Sequence, residues 1–295
     1  MTILHTTRGD FESLIDGPED GPLVVLLHGF PELNVSWRHQ IPALAAAGYR
    51  VLAPNQRGYD GSVRDGSYAT ADLAEDIVAM IEAMGADTAT VVGHDWGGGV
   101  AWTLAHVHPD RVERLVALNC PPPAVLSHAV ATNPAQLAKS WYMLFFQIPR
   151  LPEKFVVRHM PRALIGGSYN RKAWNHDNLA PYVEAFQTPE DARGPVNWYR
   201  GALRRPRALR HLRPAKQIGV SRFVRRDQPG PRAALDRHIA DRHPVFHRQA
   251  ADHFAGVLDA IADAAGRRDL PDEIQDDVFG GDARAKLAVD AQLER

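Results

Sequence analysis

The fold is decided by one stretch of the sequence, TATVVGHDWGGGV at residues 88–100. Its first half is a short apolar run typical of a buried strand, and its second half is rich in glycine and opens a helix. Asp95 stands between the two halves. Glycines two residues before and two after it predict a strand-turn-helix elbow that lifts the Asp95 side chain above the edge of a sheet. Only small residues at positions 93 and 97 allow such a close approach of strand and helix.

A carboxylate at this turn indicates a particular chemistry. Asp95 lies beside the positive end of a helix, so we expect a low pKa and an ionised nucleophile at neutral pH. A carboxylate that attacks an sp3 carbon forms an alkyl ester whose carbonyl belongs to the enzyme, and water can later cleave that ester. The alternative is a tight helix entry with an acidic residue in its first turn.

A second stretch, PLVVLLHGFPE at residues 22–32, supports the elbow. It predicts a buried central strand followed by a loop at the same edge of the sheet as Asp95. The backbone N–H groups of Phe30 and Trp96 are predicted to form an oxyanion hole for the ester carbonyl of Asp95. We also expect His28, Pro31 and Trp96 to contact the substrate. An ordinary turn at the end of a strand is the alternative for the loop.

The first 120 residues alternate short apolar strands with helical periodicity, which is typical of βαβ units and a largely parallel sheet. An alternating stretch around 11–15 predicts an antiparallel hairpin, Gly48 is a predicted helix C-cap, and Thr70 is a predicted N-cap. The predicted strands are Leu23–Leu27, Tyr49–Ala53, Thr88–Val92 and Arg114–Asn119, and helices are predicted around Trp37–Leu44, from Thr70 to Met84 and from Gly97 onward.

Three regions follow from this pattern. Residues 1–120 are the N-terminal part of the core. Residues 121–214 carry aromatic-rich, proline-interrupted helical patterns without strand signals, and they predict a helical lid inserted into the sheet domain. Residues 215–295 are predicted to complete the core, although only 218–224 suggests a strand and only the region 254–261 suggests an amphipathic helix.

Three motifs together resemble the α/β-hydrolase-fold epoxide hydrolases: HGFPE at 28–32, RGYDGS at 57–62 and GHDWGG at 93–98. The resemblance implies an α/β-hydrolase fold, with a mostly parallel central sheet, helices on both faces and an inserted helical lid. It also implies conversion of an epoxide to a vicinal diol through an ester on Asp95.

In that family, two lid tyrosines hydrogen-bond the epoxide oxygen. Their counterparts here are Tyr142 in SWYMLFFQIP at 140–149 and Tyr199 in GPVNWYR at 194–200. Two phenols stabilise a developing alkoxide better than they stabilise the ether oxygen of the bound substrate. The resemblance therefore implies that both tyrosines act as acids.

The family completes its triad with a late acid and a histidine that activates water. By position alone, Asp227 is the expected acid and His253 the expected base, because the family's usual strands and motifs are not recognisable there. His238, His243 and His247 compete with His253. Without a base, hydrolysis of the ester would slow or stop. One hypothesis is that a frameshift altered the sequence after about Gly219.

Two alternative functions remain open. A haloalkane dehalogenase also uses an aspartate nucleophile and a tryptophan such as Trp96, but Phe30 stands where those enzymes commonly have a second halide donor. The resemblance to fluoroacetate dehalogenases is weaker, since they call for arginine at position 96. A binding protein that keeps the scaffold and has lost turnover through its altered C-terminal region is the other alternative.

Composition limits the possible partners. The 295 residues carry a net charge of −1 and are 45% apolar. We therefore expect neither nucleic acid nor a membrane as a partner, because bulk charge attracts neither, although local patches remain possible. The single cysteine, Cys120, excludes an internal disulfide and favours a cytoplasmic location. We expect a small-molecule epoxide as substrate, no cofactor and no metal, because His5, His28 and His94 fall in no ligand-spaced motif.

Overall fold

The computed structural model describes residues 1–167 and 174–204. Six strands in these ranges form one sheet. They are β1 (Thr2–Thr6), β2 (Gly9–Asp16), β3 (Leu23–Leu27), β4 (Arg50–Pro54), β5 (Ala89–His94) and β6 (Val112–Leu118). Three α-helices and one short 3-10 helix connect the strands. They are the 3-10 helix Asn34–Trp37, α1 (Gln40–Ala46), α2 (Thr70–Ala83) and α3 (Trp96–Val107).

The sheet is mostly parallel. Its strand order is β1-β2-β4-β3-β5-β6, and β4, β3, β5 and β6 run parallel to one another. β2 is antiparallel to both β1 and β4. The predicted strand near residues 11–15 therefore forms its hairpin with β1, and the turn at 17–22 connects it to β3 without pairing the two. The prediction of an α/β-hydrolase fold with a largely parallel sheet is confirmed.

The central strand β3 shows why its sequence is apolar without alternation. Val25 and Leu27 face one hydrophobic cluster, which contains residues of α2 and α3. Val24 and Leu26 face a second cluster, which contains Trp37 and residues of α1. All of β3 is buried, because helices cover both faces of the sheet. This arrangement agrees with the predicted helices on both faces.

Of two predicted helix caps, one is confirmed by the structure and the other is wrong. Gly48 follows α1 with φ of +86°, which is the left-handed conformation expected at a glycine C-cap. The N-cap of α2, however, is Ala69 in an extended conformation, and Thr70 is the first helical residue. The prediction of Thr70 as the cap was wrong by one residue, and no side chain caps this helix.

The second part of the described chain is helical, and we call residues 123–204 the helical segment. Its helices are α4 (Pro123–Thr132), α5 (Pro134–Lys139), α6 (Trp141–Phe145), α7 (Leu151–Gly167), α8 (His176–Ala185) and α9 (Arg193–Arg204). The described part of the segment contains no strand, in line with the sequence pattern. The boundaries of the three predicted regions stay predictions.

Contacts of α9 fasten the helical segment to the sheet domain. The indole of Trp198 is buried and donates a hydrogen bond to the carbonyl oxygen of Arg57 over 2.9 Å. Gly194 lies against the backbone of Gly58, and a methyl group at position 194 would collide with it. Val196 and Phe186 join the same hydrophobic cluster as α2 and α3. The segment therefore packs over the carboxyl edge of the sheet, above β3 and β5.

The strand-like stretch at 218–224 and the amphipathic stretch at 254–261 lie outside the described residues. Within the described ranges, no helix combines the length and apolar character needed to cross a membrane.

Candidate active site

Asp95 occupies a sharp turn between β5 and α3. Its backbone has φ of +49° and ψ of −117°, an uncommon conformation for a residue with a side chain. Its N–H donates to the carbonyl oxygen of Leu118 over 3.1 Å, and its own carbonyl accepts from the N–H of Gly99. A methyl group on Gly93 would collide with the carbonyl oxygen of Gly97, and one on Gly97 would collide with that of Leu27. The predicted elbow is present, and both glycines are sterically required.

Two backbone N–H groups converge on the Asp95 carboxylate. Phe30 donates to its Oδ1 over 3.1 Å, and the N–H of Trp96 also donates to this carboxylate. The register of the sheet explains the meeting, because Leu27 of β3 lies opposite Gly93 of β5. The loop after β3 and the elbow after β5 are therefore neighbours. These are the two donors that the sequence predicts for an oxyanion hole.

The expected low pKa of Asp95 is wrong in direction. Burial raises the pKa of this carboxyl group, while the charge of His94 and the N–H groups of Phe30 and Trp96 lower it without fully compensating. The helical segment removes water from the carboxylate, and the sequence alone does not reveal how much. A raised pKa also means a more basic and more nucleophilic carboxylate when it is ionised.

A partly buried ion pair lies next to Asp95, and no sequence motif predicts it. Nδ1 of His94 lies 3.0 Å from Oε2 of Glu32, and the N–H of Gly29 donates to the same oxygen over 3.1 Å. Burial alone would raise the pKa of Glu32, but the charge and hydrogen bond of His94 lower it to about 2. Burial alone would lower the pKa of His94, but Glu32 raises it to about 9. The pair joins the loop after β3 to the elbow and places a positive charge beside Asp95.

The ring of His28 fixes the backbone of the loop after β3 through hydrogen bonds. It is fully buried, with Nδ1 hydrogen-bonded to the carbonyl oxygen of Gly29 over 2.9 Å and Nε2 accepting from the N–H of Gln56 over 3.1 Å. Burial lowers its pKa to about 4, so the ring is neutral at physiological pH. Both ring nitrogens are occupied by the backbone, and the geometry does not support the predicted contact of this ring with substrate. Pro31 follows Phe30 through a cis peptide bond and is buried.

Both predicted tyrosines lie above Asp95. The ring centres of Tyr142 from α6 and Tyr199 from α9 are 5.8 Å apart, and Tyr199 is 5.0 Å from the ring of Trp96 and 5.2 Å from that of Phe30. Burial and the charge of Asp95 raise the pKa of each phenol above its ordinary value. Both hydroxyl groups therefore stay protonated, and hence able to donate, across the neutral range.

The remaining predicted residues cannot be placed. Asp227 and His253, together with the competing His238, His243 and His247, lie outside the described residues. Within the two described ranges, no three histidine, cysteine or carboxylate side chains are grouped closely enough to hold a metal ion.

A nucleophile elbow after β5, a facing pair of N–H donors and helices packed over the sheet edge together define an α/β hydrolase. The comparisons agree: the model of the α/β hydrolase fold family matches residues 22–190, which is more than half of the chain. The chain belongs to this family.

Curated relatives give the resemblance more detail. The chain is 42% identical over 195 residues to the AB hydrolase superfamily protein YfhM of Bacillus subtilis, an alignment that covers 64% of this chain and 68% of that protein. It is 35% identical over 201 residues to mouse epoxide hydrolase 4, covering 64% of this chain and 56% of that protein. Epoxide hydrolase B of Mycobacterium tuberculosis is 51% identical over 124 residues, covering 40% and 35%. The chain thus spans less than two thirds of both named epoxide hydrolases.

Solved structures show the same likeness. The crystal structure of epoxide hydrolase A from Mycobacterium thermoresistibile matches with a TM-score of 0.62 and 31% identity, covering 71% of this chain and 76% of that one. A putative acyltransferase from Salmonella enterica matches with a TM-score of 0.62 and 27% identity, covering 68% and 69%. The predicted resemblance to epoxide hydrolases is confirmed, while the second match shows that the fold alone does not select the reaction.

Proposed function

We propose that the protein is an epoxide hydrolase that opens its substrate with Asp95 as the nucleophile. The observation that carries this proposal is the meeting of Asp95 with Tyr142 and Tyr199, whose pKa values the charge of Asp95 raises, beside the rings of Phe30 and Trp96. A carboxylate nucleophile facing two protonated phenols suits a substrate whose leaving oxygen stays attached to the product. The helical segment acts as the lid that carries both phenols and excludes water.

In the first step, a carboxylate oxygen of Asp95 attacks one epoxide carbon. A carbon–oxygen bond forms with Asp95 while the ring carbon–oxygen bond breaks, and the negative charge moves to the former ring oxygen. Tyr142 and Tyr199 stabilise that alkoxide by hydrogen bonds, and one of them transfers its proton. Their raised pKa values keep the hydroxyl protons in place until the alkoxide develops.

In the second step, water attacks the ester carbonyl of Asp95. The resulting oxyanion is held by the N–H groups of Phe30 and Trp96. The ester bond to the diol oxygen then breaks and Asp95 keeps the oxygen supplied by water. One proton of that water goes to the departing diol oxygen and the other restores the phenol that gave up its proton in the first step. This step needs a base. His253, oriented by Asp227, is the sequence-based proposal for that role. A chain without a working base would stop as the alkyl ester.

Haloalkane dehalogenation is the second candidate, because the indole of Trp96 lies beside Asp95. Its side chain, however, shares a hydrogen bond with Tyr199, which competes with a halide for the same N–H group. Phe30 offers only its backbone N–H, and that group is directed at the carboxylate. Epoxide opening requires no change in either of these two hydrogen bonds.

Diol formation from a simple aryl epoxide tests the proposal. The full chain should release diol, Asp95→Ala should abolish it, and Asp110→Ala should keep it, because Asp110 is an exposed carboxylate far from the pocket. Release of halide from a haloalkane, in place of diol from the epoxide, would replace the proposal by the dehalogenase. Folded protein that yields neither diol nor an adduct would support a binding role.

A further inference from the structure

The helical segment presents an apolar ridge to solvent. It consists of Trp141, Leu144, Ile148, Leu151 and Phe155, whose side chains are between 44% and 63% exposed. Five large apolar side chains within fifteen residues are unusual on the surface of a protein, where such residues are normally scattered. The ridge runs from α6 through the following turn into the first turns of α7.

The ridge is one continuous surface. The ring centres of Trp141 and Phe145 are 5.9 Å apart, and those of Phe145 and Phe155 are 5.3 Å apart. Phe145 therefore joins the α6 end of the ridge to the α7 end. The aromatic pocket at Asp95 does not include these exposed side chains, so the catalytic proposal leaves the ridge unexplained.

The charges beside the ridge are mainly positive. Residues 134–162 contain five Lys or Arg side chains and a single carboxylate, Glu153. Glu153 is buried and paired with Arg200 over 2.6 Å, so it contributes little negative charge to the surface. Within the part of the chain that the structure describes, none of the five cations has a carboxylate partner; they are Lys139, Arg150, Lys154, Arg158 and Arg162.

A groove lies next to the ridge. It has a volume of about 640 Å³ and lies between the start of α7 and the face of α9. Arg150 and Lys154 line one side of it. Asn197 and Arg193 line the other side, where Arg193 is paired with Glu190 over 3.1 Å, and the Glu153–Arg200 pair also reaches the groove. Arg150 and Lys154 each precede a ridge residue, Leu151 and Phe155, by one position. A molecule that offers an anionic group next to an apolar chain can therefore occupy groove and ridge together.

We propose that the ridge and the groove form a docking surface for a bilayer that contains anionic phospholipid. Aromatic and aliphatic side chains of the ridge enter the interface between headgroups and acyl chains, and Arg150 and Lys154 at the groove bind headgroup phosphates. The attachment is peripheral. A net charge of −1 for the whole chain conceals this local excess of cations.

A second copy of the chain fits this surface less well. In a two-fold symmetric dimer the same patch faces itself, and five unpaired cations would then face five others. A free anion such as inorganic phosphate would satisfy the groove but would leave the ridge exposed to water. A membrane that displays both anionic headgroups and apolar chains satisfies both features at once.

Sedimentation with lipid vesicles tests the inference with the full chain. In about 0.1 M salt, the protein should pellet with phosphatidylcholine vesicles that contain roughly one third phosphatidylserine, and should stay in solution with phosphatidylcholine alone. The charge variant Arg150→Glu/Lys154→Glu should weaken binding by about 20-fold or more. The apolar variant Trp141→Ser/Leu151→Ser should also release the protein. All four residues are exposed, so both variants should fold.

A matched control changes one apolar residue and one cation elsewhere. Ile3 and Arg38 are exposed and lie outside the segment, so Ile3→Ser/Arg38→Glu should bind like the unchanged protein. Brominated lipid should quench tryptophan fluorescence less in Trp141→Phe than in the unchanged protein.

Three results would overturn the inference. The first is absence of binding to the anionic vesicles, and the second is equal binding by the charge variant. The third is a dimer, seen in analytical ultracentrifugation, that Trp141→Ser/Leu151→Ser dissociates while vesicles bind nothing; this would assign the ridge to a second copy. Diol formation is measured separately, so failure of docking leaves the catalytic proposal untouched.

Discussion

The elbow at the sheet edge and the helical segment above it contribute to one pocket through different means. At the elbow, backbone geometry is decisive: Asp95 has positive φ, and Gly93 and Gly97 lie against carbonyl oxygens. In the segment, side-chain packing is decisive, with Tyr142 and Tyr199 held by ring contacts. Asp95 is therefore positioned by a strained, sterically restricted turn, whereas the two phenols are positioned by an element that only packs against the core.

Removing the phenols tests the contribution of the helical segment. Tyr142→Phe or Tyr199→Phe should lower the rate of epoxide opening by about 10²-fold, and the double variant by up to about 10⁴-fold, because the alkoxide loses its donors. Single-turnover kinetics with the aryl epoxide measure this step directly. The matched control is Tyr182→Phe, which removes a buried hydroxyl bonded to Ser36 rather than one at Asp95. Equal losses in the control and in the tyrosine variants would contradict the assignment.

Adding methyl groups tests the steric requirement of the elbow. Gly93→Ala or Gly97→Ala should destabilise the protein by about 3 kcal/mol or prevent folding, since each new Cβ meets backbone that cannot move easily. Gly99→Ala is the control, because the nearest atom to its Cβ is 3.7 Å away in the ring of Trp96. It should be neutral or stabilising by about 0.5–1 kcal/mol. Urea unfolding measures all three, and similar stability in all of them would show that the turn is not tightly packed.

The pH dependence of stability tests the ion pair that joins the loop to the elbow. The pKa of His94 is raised to about 9, so its stabilising effect is complete below its unfolded value of 6.5 and is lost as pH rises through about 9. The pKa of Glu32 is lowered to about 2, so its effect is present above 4.5 and is lost as pH falls through about 2. The pair therefore stabilises most between pH 4.5 and 6.5.

Urea unfolding at a series of pH values gives the measurement. The free energy of unfolding should fall by about 1–2 kcal/mol more between pH 6.5 and 9 in the unchanged protein than in His94→Gln. Glu32→Gln should remove the same component, because it takes away the charge that raises the pKa of His94. A pH dependence that survives in both variants would assign it to other groups.

Local patterns predicted most of the fold. Three features could be predicted because each depends only on residues close together in the sequence. They are the apolar run of β3, the spacing of the glycines around Asp95 and the C-cap at Gly48. The N-cap of α2 was missed because Ala69, a residue without a capping side chain, occupies that position. The strand near residues 11–15 was predicted, and so was β4. Their pairing with each other and the partner strand β1 were not predicted, because pairing depends on the whole sheet.

The site was predictable to the extent that its residues belong to motifs. Asp95, Phe30 and Trp96 follow from the elbow and the loop, and Tyr142 and Tyr199 follow from the family resemblance. The pair of Glu32 and His94 could not be found, since it depends on the register between β3 and β5. The raised pKa of Asp95 also escaped, because it reflects burial beneath a separate segment.

The central claim is that a carboxylate oxygen of Asp95 forms the bond to substrate. One turnover with the aryl epoxide in water enriched in ¹⁸O, followed by mass analysis of the peptide containing Asp95, tests it most directly. We expect either heavy oxygen in Asp95 with an unlabelled first diol, or a stable alkyl ester on that residue. Heavy oxygen in the first diol, with an unmodified Asp95 peptide, would contradict it.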